Sequence, residues 1–295
     1  MLHRLSPVLA ALLLFSACTK EDDVAPTPAP TVTTPTPEVD DGRDDNLALG
    51  NPSGAIASVV STNNYLIVHP QYVVGYDNSR GLARWVSWHL SLAWKGSAPR
   101  CNCFEPDPVL PSGFFHAVHA DYTNSGFDRG HMCPSDDRDG SDADNAVTFL
   151  MSNICPQAPD LNQQTWGDLE DFARTLAADS MELYIMAGGY GNGGSGDLGG
   201  TTLTIANGAI AVPKRYWKVM VVLPWGTHDL ERINSSTRVI AVDMPNRNDV
   251  TALAWYNYRT SVDAIEDSTG LDLLNLLPTQ LQDLLEVGVD AGPVQ

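Results

Sequence analysis

DYTNSGFDRGHMCPSDDR, residues 121–138, and SNICPQAPDLNQQTWGDLEDFAR, residues 152–174, are the two stretches on which the fold turns. The first sets Asp128, Arg129, Gly130 and His131 side by side: a carboxylate, a fixed cation, a permissive backbone position and a titratable base. Glycines and turn residues flank His131, an exposed context rather than a core one. Asn153 and Gln157 open the second stretch, which then changes character. Asn162 can start a helix, and Trp166, Leu169, Phe172 (or Ala173) and Leu176 recur at helical spacing. On such a helix Glu170 lies about two turns beyond Asn162 and Arg174 one turn further. Asn162, Trp166, Glu170 and Arg174 then share one stripe. An amide oxygen, a carboxylate and a guanidinium along one face suit a hydrated metal and a phosphate.

Upstream, YLIVH (65–69), QYVVGYD (71–77) and ARWVSWHLSLAW (83–94) are rich in Tyr, Val and Trp with partial alternation, as half-buried strands are. Downstream, strands are expected at 147–152, 182–187, 202–206, 217–223 and 238–243, and helices at about 251–268 and 278–286. The fold class is therefore α+β. GGYGNGGSGDLGG (188–200) lacks the GK[ST] ending of a phosphate loop and has no helix pattern after it, so it reads as a flexible hairpin loop. Trp85, Trp88 and Trp94 read as core, DDRDGSDAD (136–144) as a solvated acidic loop, and His116, His119 and His228 as structural.

The 295 residues are 43% hydrophobic and 18% charged, enough apolar content for a folded body. The formal net charge of −19 is the wrong sign for a protein that coats nucleic acid, since phosphate contacts come from Lys and Arg. It leaves room for a small basic site on an acidic body. Residues 19–48 account for −6 and residues 49–295 for −14. Residues 1–18 read as a secretory signal: the apolar run LSPVLAALLLFSA is too short to span a bilayer, and its end at Cys18 resembles a bacterial lipobox. The sequence thus predicts export, as an outer-membrane or cell-surface lipoprotein or a periplasmic or secreted protein, with Cys18 its sole membrane attachment. Residues 19–48, Pro/Thr-rich and then acidic, form a tether, and 49–295 the folded domain.

The DRGH motif together with the 152–174 stretch resembles the DNA/RNA non-specific endonucleases, whose ββα-metal site sits on a central antiparallel β-sheet flanked by helices. The resemblance runs from about residue 65 to 287. It implies a Mg²⁺-dependent endonuclease, with Mn²⁺ a possible substitute, that cuts DNA and RNA without sugar preference and leaves 5′ phosphates. His131 is expected as the general base and Asn162 as the single direct protein ligand of Mg²⁺. Arg129 and Arg174 are expected on phosphate oxygens, and Glu170 on the metal's water shell. Asn153 should position His131 or that shell, and Asp128 should be a structural partner. The competing reading is a silent surface lipoprotein that keeps the fold for binding.

Cys133 and Cys155 stand where the family has small or aliphatic residues, each two beyond a site residue, and a disulfide between them would brace the site. Cys101 and Cys103 make a poor local pair. Lys95, Lys214 and Lys218 are few for a phosphate-tracking surface, which predicts weak, salt-sensitive substrate affinity.

Overall fold

The computed structural model describes residues 42–294; the signal, Cys18 and the tether up to residue 41 lie outside the described residues. Along the chain come β1 (Tyr65–His69), β2 (Tyr72–Asp77), β3 (Leu82–Leu90), β4 (Asp128–His131), α1 (Asp142–Val147), β5 (Ile154–Gln157), α2 (Trp166–Ala178) and β6 (Met181–Tyr190). A small hairpin of β7 (Thr204–Ile205) and β8 (Ile210–Ala211) precedes β9 (Arg215–Pro224), α3 (Asp229–Arg232), β10 (Arg238–Pro245), β11 (Arg259–Thr260), α4 (Val262–Thr269) and α5 (Thr279–Leu285). The central sheet runs β1-β2-β3-β6-β9-β10-β11, antiparallel throughout, and β4 pairs with β5 apart from it.

Both faces of this sheet are covered, which explains why alternation in the sequence is only partial. Leu183, Ile185 and Ala187 of β6 join a core with Trp88, Met220, Trp166 and Leu169. Their neighbours Tyr184 and Met186 point the other way, to a core with Trp85, Val219, Val262, Ile265 and Leu285. The helix α2 therefore covers one face, and α4 and α5 the other. Trp85, Trp88 and Trp94 are core residues, as their spacing predicts.

Several boundaries differ from the sequence reading. The third strand stops at Leu90 because Ser91 accepts from the amide of Ala93 and starts a 3-10 turn. Residues 147–152 are not a strand. Ser141 caps the start of α1, which runs on to Val147, and the chain then turns through Thr148 into a 3-10 turn at Met151–Asn153. The expected helix at 251–268 is confined to α4, capped by Ser261; 3-10 turns and β11 occupy its first half. The domain also begins before residue 49, since the side-chain oxygen of Asn46 accepts from the His89 amide and its backbone oxygen from Ser87.

The glycine-rich loop is pinned, not free: Gly194 bridges to Thr202, Ser195 to Arg247, and the Asp197 amide donates to Gly126. The acidic stretch is only partly solvated. Asp137 and Asp144 are buried, and Asp139 holds Lys95.

Candidate active site

A cavity of about 150 Å³ is lined by Arg100, Arg129, His131, Asn162, Glu170 and the turn at 134–136. Its floor is the β4–β5 pair. Residues two apart on a strand face the same way, so Arg129 and His131 both reach the cavity while Gly130 faces Gln157. A Cβ on Gly130 would sit 1.9 Å from Gln157 Oε1. The motif's glycine is thus demanded by space, not by backbone conformation.

His131 is buried, 7% exposed, which corrects the exposed setting read from its neighbours. Phe149 meets its ring edge-on at 4.7 Å and Phe104 lies at 5.7 Å. Its Nε2 is buried and has no hydrogen-bond partner among the described residues. Burial, and then the positive charge of Arg100, push its pKa down to about 3. The imidazole is therefore neutral at physiological pH, with a nitrogen uncommitted.

Two guanidiniums flank it. That of Arg129 lies 5.0 Å over Phe104, with a buried Nε lacking a partner. That of Arg100 lies 5.0 Å over Phe149 and donates to Ser135 Oγ at 2.6 Å. Neither forms a salt bridge with a carboxylate among the described residues. Both keep their charge for an anion in the cavity.

The opposite wall is the helix that leads into α2. It starts ahead of Asn162, whose amide already donates to Ala158, and its first turn, Leu161–Thr165, is a π turn. Eight residues overshoot two α-helical turns by about 0.8 residue, and one π turn takes up about one extra residue. Asn162 and Glu170 consequently fall on one stripe and line the same cavity, whereas Trp166 is buried beneath them. Asp128 fixes the Asn162 amide: Asn162 Nδ2 donates to Asp128 Oδ2 at 2.9 Å, and Gln163 donates to the same oxygen at 2.8 Å. With its nitrogen held, the amide presents its oxygen elsewhere. That donor chemistry, a carbonyl oxygen beside the Glu170 carboxylate, fits a hard divalent cation.

Glu170 rests on Lys218, whose Nζ donates to it at 3.2 Å. Burial raises the Glu170 carboxyl above its ordinary range; Lys218 opposes that and Asp137 adds to it. Lys218 is 1% exposed and lies over the ring of Trp166 at 4.2 Å, so it supports the site from within and is not part of any phosphate-tracking surface.

Arg174 also departs from expectation. Its guanidinium pairs with Asp137 at 3.1 Å and with Asp171, and it does not line the cavity. Asp137 in turn accepts from Trp88 Nε1. Arg174 thus anchors the helix to the sheet, outside the lining of the cavity. Asn153 is fully buried. Its side chain binds both the amide and the carbonyl of Cys133 and the carbonyl of Thr148. It braces the chain beyond His131, with both of its side-chain N–H donors spent on backbone carbonyls.

The cysteine reading is reversed. Cys101 and Cys103 are bonded, and Cys133 and Cys155 are free, buried thiols, each pushed up to about 12 by burial. The ladder explains the latter, because Cys155 stands opposite Gly130, three residues short of Cys133. Three residues along a strand are about 10 Å, beyond the reach of a disulfide. The Cys101–Cys103 loop instead carries Arg100 and Phe104 at its two ends, and Glu105 bridges to Leu150 behind it. These two residues escaped the sequence reading. The available signal was an arginine and a phenylalanine flanking a local Cys-X-Cys. Lys218 escaped too, though a lysine within WKVMVV breaks an otherwise apolar strand.

The family model for DNA/RNA non-specific endonuclease matches residues 50–280. A nuclease of Nostoc sp. is 44% identical over 245 residues, covering 83% of this chain and 86% of that protein. A nuclease of Serratia marcescens is 31% identical over 250 residues, 82% of this chain and 85% of that one. A chain in the crystal structure of an EndoG/EndoGI complex superposes with a TM-score of 0.65, covering 80% of this chain and 92% of its own length at 23% identity, a likeness of fold. The chain belongs to the DNA/RNA non-specific endonuclease family and is an α+β endonuclease acting on nucleic acid.

Proposed function

We propose that the protein is a Mg²⁺-dependent endonuclease that hydrolyses DNA and RNA to products with 5′ phosphates, with His131 as general base. One observation carries this reading: a neutral, unpartnered imidazole shares a small polar cavity with two guanidiniums free of carboxylate partners and with Asn162 and Glu170. Arg129 and Arg100 bind the scissile phosphate's oxygens, holding it against the imidazole. His131 accepts the proton of the attacking water, a task for which an uncharged ring is required. Asn162, through its amide oxygen, would be the direct protein ligand of Mg²⁺, or of Mn²⁺ in its place, and Glu170, which lines the same cavity, would order water around the cation. When bound, the cation neutralises charge on the phosphate and stabilises the departing 3′ oxygen.

We further propose export as a lipoprotein anchored through Cys18, on the strength of the apolar run and its Ser-Ala-Cys end. The test of the chemistry is end analysis of digests. Plasmid and RNA incubated with Mg²⁺ should yield fragments carrying 5′ phosphate, EDTA should stop cleavage, and Asn162→Ala should raise the Mg²⁺ requirement steeply. Fragments carrying 3′ phosphate, or cleavage indifferent to EDTA, would overturn it.

A further inference from the structure

From residue 260 to its end the chain holds seven acidic residues and no Lys, Arg or His, half of the folded body's net charge. Asp290 pairs with Arg238 and Arg259. The other six, Asp263, Glu266, Asp267, Asp272, Asp283 and Glu286, form no salt bridge among the described residues. Three of them converge: ligand oxygens of Asp263 and Glu266 on α4 and of Glu286 just after α5 lie within 4.8 Å of one another. The Asp263 amide donates to the Glu286 carbonyl, which locks the two helices in this approach.

Repulsion alone would drive such carboxylates apart towards water, yet Glu286 is 6% exposed and its buried Oε1 has no hydrogen-bond partner among the described residues. Burial, then the charges of Glu266 and Asp263, lift the Glu286 pKa to about 7. The contrast with another acidic set is informative. Near β3 and β6, Glu182 and Asp229 also crowd together, but Arg232 lies between them and bonds to both. The C-terminal set has no such cation among the described residues.

We propose that Asp263, Glu266 and Glu286 form a calcium site that ties α4 to α5 on the face of the sheet opposite the catalytic cavity. The donors are all oxygen, they carry up to three negative charges, and they come from two helix ends rather than a rigid cage. Calcium accepts such flexible oxygen sets at 2.3–2.6 Å, so oxygens on opposite sides of the ion are about 5 Å apart. Magnesium demands a tighter octahedron and gives up its waters reluctantly. The site is stabilising and takes no part in turnover.

Thermal unfolding of the full chain, stripped with EDTA and dialysed, tests this. Millimolar CaCl₂ should raise Tm by about 5 °C at saturation, and equimolar MgCl₂ should do much less. Asn162→Ala should keep the full calcium response, separating this site from the catalytic one. Glu286→Gln should raise Tm in EDTA by removing a repelling charge, and should abolish the calcium response. Asp263→Asn, at an exposed position, should weaken that response with no loss of folding and with wild-type cleavage rates. A Tm indifferent to calcium overturns the proposal. So does a calcium response lost in Asn162→Ala, or one retained in Glu286→Gln and Asp263→Asn together.

Discussion

On one face of the sheet, α2, β4 and β5 gather carboxylates and cations in contact: Glu170 on Lys218, Asp137 on Arg174, with Arg100 and Arg129 beside His131. On the other face, α4 and α5 gather carboxylates alone. The difference shows how a chain of net charge −19 can handle phosphate. Much of its acidity lies away from the reacting groups or is cancelled beneath them; Asp136 does line the cavity, but so do two guanidiniums that have no carboxylate partner among the described residues. Charge placement, not net charge, sets the partner; net charge limits how tightly that partner is held.

The comparison breaks most readily at the guanidiniums. Arg129→Ala or Arg100→Ala should each lower kcat/KM by about 10²–10³-fold, the usual cost of removing one donor aimed at developing charge. Arg129→Lys should recover little of the loss, since a point charge cannot replace a planar fork. Equal replacements among the α4–α5 carboxylates should leave kcat/KM unchanged. Next in size, Lys218→Met leaves Glu170 half-buried without its cation. It should destabilise the fold by about 3 kcal/mol in urea unfolding, because breaking a buried pair strands its partner. Asp128→Ala frees the Asn162 amide to rotate and should cost about 10–100-fold in activity. High Mg²⁺ should restore part of that.

The smallest effect is one of pH. Unfolded, an imidazole titrates near 6.5; folded, His131 titrates at about 3. Between those values the unfolded chain binds more protons, so this histidine makes stability fall as pH drops from about 6.5 towards 3, by at most about 1.4 kcal/mol per unit. His131→Gln should flatten that part of the stability profile measured from pH 7 to 5.

Much of this site was legible because its motifs are local. DRGH is one strand, and Asn162 and Glu170 lie eight residues apart in one helical run, so spacing brings them near one another. What was illegible depends on contacts across the chain. Arg174 has the right spacing for the cavity, but a buried carboxylate 37 residues earlier holds it. His131 looks solvent-facing by its neighbours, yet Phe104 and Phe149, distant in sequence, close over it. The exact phase of the helix rests on a π turn, which no hydrophobic period announces. The separation of Cys133 from Cys155 rests on the β4–β5 register, a property of two strands and not of either sequence. In the sheet, burial on both faces erased the alternation by which strand ends are recognised, and Ser91 and Ser141 set boundaries through single side-chain hydrogen bonds.

The central claim is that the neutral His131 imidazole takes the proton from water. It is tested most directly by single-turnover cleavage of plasmid DNA and of RNA at saturating Mg²⁺, wild type against His131→Ala, with Tm measured on both. The account predicts a loss of about 10²–10⁴-fold in the cleavage rate on both substrates, with the protein still folded and its calcium response intact. A folded His131→Ala protein that cleaves either substrate at the wild-type rate would contradict it.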